Sequence, residues 1–259
     1  VLEIGAFAAG TLERLAGSVG RCIVRSGFAG TVVADFNADD CYGDGYTHTD
    51  GYRWTLGLPK IYDRSGNNHP PAVFGAGSNQ PLWLPWDGIP SVYLPGVTGN
   101  YVSCPDAAPL DITGDIEIVT RVAMASWLPG FNWSFVAKWN TGGNQAYALQ
   151  CAATTGRLRL YLSTTGYDLP FAESTVAPTV SDGSALWVKA TFRLSDRRTR
   201  FFTAPDQAAE PTTWTQLGSD VTHTATSIWA GSAAIEIGTV NAGTSSALTG
   251  GGYRAIVRN

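Results

Sequence analysis

The 259-residue sequence predicts an all-β protein folded as an antiparallel sandwich, and three observations lead there. Helix formers are scarce, with three lysines (Lys60, Lys138, Lys189) and six glutamates against 30 glycines, which favours residues that suit a pleated surface over helical ones. From Ser91 onward, short runs of alternating character recur between Gly, Asp, Asn and Pro turns, the spacing of strands in a sandwich. The alternation is cleanest in Arg157-Leu158-Arg159-Leu160-Tyr161-Leu162, where the leucines take one face and Arg159 and Tyr161 the other, so one side is buried and one wet.

Composition bounds the function classes. At 44% hydrophobic, 11% aromatic and 15% charged residues, the chain buries enough apolar surface to offset its conformational entropy. The balance of 17 basic and 21 acidic residues gives a net charge of −4, and the basic residues are scattered, so nucleic acid and anionic membrane are not expected as partners. No apolar run approaches the length of a membrane span, no membrane insertion is expected, and no targeting signal is visible. Cys22, Cys41, Cys104 and Cys151 are far apart, with no C-x-x-C pair, which argues for unpaired, mostly buried thiols and against a zinc site.

Taken in order along the chain, the first element is a repeat. Val1–Ser26 aligns without a gap on Ala234–Asn259, with twelve identities in twenty-six positions, Glu3/Glu236, Gly5/Gly238, Gly10/Gly243 and Arg21/Arg254 among them. The reading is a partial tandem repeat, at the N-terminus, of the C-terminal hairpin, in a chain that is a segment of a longer array. Residues 1–36 are then the end of a preceding copy, or the closing strands of this one or of a neighbour. Thr11–Ala16 has helical composition, but its counterpart Thr244–Thr249 has none, so it is read as loop. Residues 37–90, rich in Asp, Gly, Asn and Pro, read as a connector with one short strand, Tyr52–Gly57.

Residues 91–259 form the main domain, with strands expected at Ser91–Leu94, Asn100–Ser103, Ile116–Met124, Ser134–Trp139, Ala146–Ala152, Arg157–Ser163, Ala185–Leu194, Arg198–Ala204, Thr213–Gly218, Ala234–Val240 and Tyr253–Arg258. Eleven strands at this spacing make a sandwich. Every second residue supplies the expected core: Ile116, Ile118, Val122, Leu158, Leu160, Leu162, Leu186, Val188, Ile235 and Ile237.

The run Leu94–Met124 (LPGVTGNYVSCPDAAPLDITGDIEIVTRVAM), followed by AKWN, GRLRLYLS, DGSALWVKATF, WTQLG, AAIEIG and YRAIVRN, resembles the concanavalin A-like, laminin-G-like jelly-roll domains of minor tail proteins of actinobacterial phages. The resemblance covers Ser91–Asn259, and GFAGTVVADF near the front resembles the end of such a domain. It implies a jelly-roll sandwich in a phage tail, a virion location, other virion proteins or copies of itself as partners, and host-surface glycan as a candidate ligand. The same fold class serves lectins, glycosidases and plain structural modules, so function has to come from a site.

Candidate sites are few. In the loop SWLPGFNW, Trp127, Phe131 and Trp133 offer flat rings for sugar faces, with Asn132 and Asn140 as hydrogen-bonding neighbours; the competing reading is that the tryptophans seal the core edge. Asp106, Asp111 and Asp115 offer oxygen ligands for calcium, as in some laminin-G-like modules, and no other cofactor is implied. Asp115 and Glu117 project from one face of a strand, as the acids of retaining glycosidases do, but the third acid of the E-x-D-x-x-E run is replaced by Thr120. Ile61–Pro70 (IYDRSGNNHP) resembles a turn seen in jelly-roll phage proteins and fungal arabinofuranosidases, where Asp63 and Ser65 suffice to cap a turn. His48, His69 and His223 lie in polar, turn-like text, and no nucleophile elbow, phosphate loop or zincin motif occurs. The expectation is therefore a virion structural or adhesion protein with no catalytic residues, with a glycoside hydrolase and a ligand-free assembly or decoration module as alternatives.

Overall fold

The computed structural model describes residues 89–259 and the strand segments 21–25, 32–37, 45–47, 53–55, 72–74 and 82–86, with side chains placed from Val92 onward. The Thr11–Ala16 loop, the Ile61–Pro70 turn, Cys41, His48 and His69 lie outside the described residues. Two compact units are formed, Val1–Lys60 with Pro85–Gly88, and Ile61–Leu84 with Ile89–Asn259. In the first unit β1 (Arg21–Arg25) pairs antiparallel with β2 (Val32–Asn37), and β3 (Gly45–Thr47) with β4 (Arg53–Thr55).

The second unit is a two-sheet sandwich. Its strands are β5 (Ala72–Phe74), β6 (Leu82–Trp86, whose first three residues belong to this unit), β7 (Ile89–Pro95), β8 (Tyr101–Cys104), β9 (Ile116–Met124), β10 (Trp133–Asn140), β11 (Asn144–Cys151) and β12 (Leu158–Leu162). They continue with β13 (Phe171–Glu173), β14 (Ala185–Arg193), β15 (Arg198–Ala204), β16 (Thr215–Gln216), β17 (Val221–Thr222), β18 (Ile235–Ile237) and β19 (Thr249–Arg258). One sheet has seven strands in the order β13-β12-β11-β10-β18-β8-β5; the other runs β16-β15-β14-β9-β19-β7-β6, with β17 also on β15. Two short segments of the stretch read as connector, β5 and β6, thus lie at the edges of the two sheets. The one helical turn among the described residues is Ala108–Leu110.

The core lies between the sheets, as the period-2 pattern requires. Ile116, Ile118, Val122, Leu158, Leu160, Leu162 and Val188 are buried, and Leu186, Ile235 and Ile237 pack against them partly covered. Phe135, Tyr147, Met124, Phe192 and Phe201 fill the same layer. His223, expected in a polar turn, is instead fully buried in edge contact with Phe192. Its Nε2 faces the Leu160 carbonyl and its Nδ1 accepts the Ala225 N–H, so the neutral imidazole has both nitrogens satisfied where a charged ring would not. Burial accordingly holds its pKa below the usual histidine value, against a small opposing pull from Leu160. Cys151 is a buried thiol whose pKa is pushed up to about 12, chiefly by burial and then by Glu173, which makes it a packing residue rather than a nucleophile.

The C-terminal repeat unit is not a hairpin, as the sequence reading expected, but an arch between the layers. β18 belongs to the seven-stranded sheet and β19 to the other, and Val240↔Ser245 is the bridge within the arch. The buried Glu236 carboxylate holds it, accepting hydrogen bonds from Thr239 Oγ1 at 2.9 Å, Ala242 N at 2.7 Å and Gly243 N at 3.2 Å. Glu236, Ala242 and Gly243 are among the residues that recur as Glu3, Ala9 and Gly10, so the positions repeated near the N-terminus coincide here with one hydrogen-bonded clasp.

Candidate functional site

Of the five residues of the expected ligand loop, Phe131, Asn132 and Trp133 stay side by side where β10 begins, while Asn140 is carried to the other end of that strand. Trp127 is 5% exposed, its backbone N–H donating to Asp182 at 2.6 Å and its indole N–H to the Ser184 carbonyl at 3.2 Å. Trp133 is buried as well, whereas Phe131 is exposed and meets it edge-on at 6.2 Å. Asn132 turns its side-chain oxygen to the Ala153 N–H. Asn140 sits at the far end of β10, seven residues from Trp133, roughly 23 Å away at the usual rise of an extended strand.

The three aspartates are also dispersed. Asp106 and Asp111 converge on Lys138, whose fully buried ammonium lies 2.7 Å and 3.0 Å from their carboxylates and donates to the Gly231 carbonyl. Asp115 accepts the Leu194 N–H at 2.8 Å, capping the turn between β14 and β15. Among the described residues, no three His, Cys, Asp or Glu side chains group as ligands of one metal ion. Glu117, in β9 two residues after Asp115, is half-buried in ion pairs with Arg258 at 2.6 Å and Lys189 at 3.6 Å. The two acids therefore serve different partners, one at a turn and one on the outer sheet face.

The end of the sandwich opposite the SWLPGFNW loop carries a different arrangement. Tyr167 is 71% exposed and Trp229 41%, and both rings meet at Gly143 in the β10–β11 turn. The Trp229 indole N–H donates to the Gly143 carbonyl at 3.0 Å. The Tyr167 phenol lies so close that a Cβ on Gly143 would come within 2.6 Å of its oxygen, and Gly143 has φ +100°, so glycine is required there for both space and backbone conformation. Gly166 passes over the same carbonyl, where an added Cβ would stand 2.3 Å from it.

The supporting loops are braced from several sides. Asp168 accepts hydrogen bonds from Ser163 Oγ, Thr164 N and Oγ1, and Thr165 N and Oγ1. Partial burial opposes ionisation, but these bonds from Ser163, Thr164 and Thr165 hold its carboxyl well below the usual range. Gln145 ties the loop through its backbone N–H, which donates to the Gly166 carbonyl. Trp229 N–H bonds Ser163 O, Asn144 bonds Ser232, and Lys138 holds Gly231. Exposed Leu169 and, at the start of β13, Phe171 continue the apolar surface, and the Phe171 ring packs tilted against Tyr161 at 5.3 Å.

Sequence reasoning passed over Tyr167 and Trp229 because both stand in polar, glycine-containing text, STTGYDLP and SIWAGSA. That context was itself the signal. A ring with no alternating apolar neighbours has no strand face to bury it, while the rings of SWLPGFNW are flanked by strands that do.

These features define a two-sheet antiparallel β-sandwich with exposed aromatic rings on braced end loops. No family model and no curated protein matches the chain. Among solved structures it is similar to the binding domain of botulinum neurotoxin DC in complex with SialylT, at 9% identity and a TM-score of 0.51, over 75% of this chain and 44% of that one. It thus spans under half of that neurotoxin chain. Other matches are the CBM40 of the Ruminococcus gnavus IT-sialidase bound to α2,3-sialyllactose (15% identity, 58% of this chain, 78% of that one, TM-score 0.44) and the SAP-like pentraxin of Limulus polyphemus (12% identity, 64% and 74%, TM-score 0.38). At 9% identity the likeness to the neurotoxin domain is one of fold.

Proposed function

We propose that this chain is a non-enzymatic adhesion component of a phage tail, whose sandwich binds host-surface glycan through the Tyr167–Trp229 rim. The observation that carries the binding is the pair of exposed rings meeting at Gly143 on hydrogen-bonded loops. Large aromatic side chains left in water on an immobilised surface mark a contact site, and immobilising them beforehand removes part of the entropic cost of binding. Flat rings of this kind stack on sugar faces, and Tyr167 adds a hydroxyl for hydrogen bonding. The phage-tail setting is supported by the motifs of Ser91–Asn259, and other virion proteins or further copies of the chain are the partners it implies. No metal is needed in this reading, because Lys138 already occupies the space between Asp106 and Asp111 and offsets one of their two charges. Retaining hydrolysis would ask for two carboxyls about 5–5.5 Å apart across a cleft, whereas Asp115 and Glu117 are committed to Leu194 N–H and Arg258.

The test is binding of the purified chain to immobilised actinobacterial cell-wall polysaccharide. Tyr167→Ala and Trp229→Ala are each expected to weaken binding about tenfold, the worth of one stacked ring, with Phe131→Ala unchanged. Binding that survives both ring substitutions would falsify the site. Release of reducing sugar by the unaltered chain would transfer the protein to the hydrolase class.

A further inference from the structure

The segments that carry or brace the two rings, 105–115, 141–144, 163–170 and 227–233, contain no lysine and no arginine. They contain four carboxylates, Asp106, Asp111, Asp115 and Asp168. Lys138 reaches them from β10, but it is fully buried and its ammonium is bound by Asp106, Asp111 and the Gly231 carbonyl. On the adjoining outer face, Arg159 is bound by Glu173 at 2.9 Å and 2.6 Å and lies over the Phe171 ring at 4.4 Å. Within these four segments, rings and hydroxyls are thus presented beside carboxylates and no lysine or arginine.

Sugar carboxylates are recognised through charge-assisted hydrogen bonds, most often by a guanidinium fork. Here a sialic or uronic acid would instead meet a net negative rim, with Asp168 next to Tyr167 in sequence and the Asp106–Asp111–Lys138 cluster anchoring Gly231, two residues from Trp229, and such charges are only partly screened at physiological salt. Hydroxyl groups face no such penalty, since Tyr167 and the turn backbone offer both donors and acceptors. Resting on the reading of the ring pair as a glycan site, we infer that the Tyr167–Trp229 rim selects uncharged sugars and rejects carboxylated ones.

Matched polysaccharides test this, with the full chain titrated against polygalacturonate and fully methyl-esterified polygalacturonate, and against sialyllactose and lactose. The uncharged member of at least one pair is expected to bind about tenfold tighter or more, and the gap should close partly as salt rises toward about 0.5 M. Thr141→Arg places a cation on the exposed turn next to the rings and should narrow the gap about fivefold, an amount typical of one exposed charge pair. Equal or tighter binding of the acidic member, or a gap that Thr141→Arg leaves untouched, overturns the inference. Failure of the underlying site looks different: no member binds, or binding is indifferent to Tyr167→Ala and Trp229→Ala.

Discussion

The two ends of the sandwich use the same chemistry to opposite effect. At one end Trp127 donates its indole N–H to the Ser184 carbonyl, and at the other Trp229 donates to Gly143, with similar lengths of 3.2 Å and 3.0 Å. Yet Trp127 is 5% exposed and Trp229 41%. The bond to Ser184 pulls the Trp127 ring over the end of the core, where it packs with Leu158 and its neighbours in one cluster. The bond to Gly143 pins Trp229 on a turn whose residues carry no bulk to cover it. An aromatic loop is therefore a seal or a platform according to what its hydrogen bond draws it onto, not according to its composition.

Substitutions separate the two roles, beginning with the largest effect. Trp127→Ala should cost about 3–5 kcal/mol, the range for emptying a large buried ring, read from urea denaturation, while the folded fraction keeps its glycan affinity. A loss below about 1 kcal/mol would mean that Trp127 is no seal. Lys138→Met should cost about 2–3 kcal/mol, less than a fully buried pair because Asp106 and Asp111 are about a third exposed. It should also weaken glycan binding, since Gly231 and the Trp229 loop lose their anchor.

Gly143→Ala combines a positive φ with a clash against Tyr167 and should cost about 1–3 kcal/mol of stability. Because the clash displaces the ring, affinity should fall along with stability; affinity at the wild-type level would show that Tyr167 need not sit where it does. Phe131→Ala, exposed at the sealing end, should stay within about 0.5 kcal/mol in stability.

Acidity acts on the core and the platform in separate windows. His223 has a lowered pKa in the folded state, so its contribution is complete above the unfolded value of about 6.5 and is lost as pH falls below it, with a slope of at most about 1.4 kcal/mol per pH unit. Asp168 is also lowered, but its contribution is complete above about 4 and fades only below that. Denaturation between pH 7 and 5 should therefore report His223, and His223→Gln should flatten that limb. An unchanged slope in the variant would place the titrating group elsewhere.

Much of this was legible before folding. Alternation in β9, β12 and β14 named the buried residues, because a strand of period 2 with one apolar face has one way to orient. Glycines and aspartates marked the turns between them. Short strands such as β13 and β17 escaped, since three or two residues hold no period; FAE and VT become strands only through their partners on β12 and β15.

Side-chain roles were decided later still. Nothing local tells that Lys138 turns inward to Asp106 and Asp111, thirty-two and twenty-seven residues earlier, or that His223 lies under Phe192. The alternation of charge and burial along a strand determined the fold class and the core from the sequence itself, because those depend on neighbours two residues apart. Which rings face water, and which carboxylates already have a partner, was decided only when segments distant in the chain met at one end of the sandwich, because exposure and pairing are properties of neighbours in space.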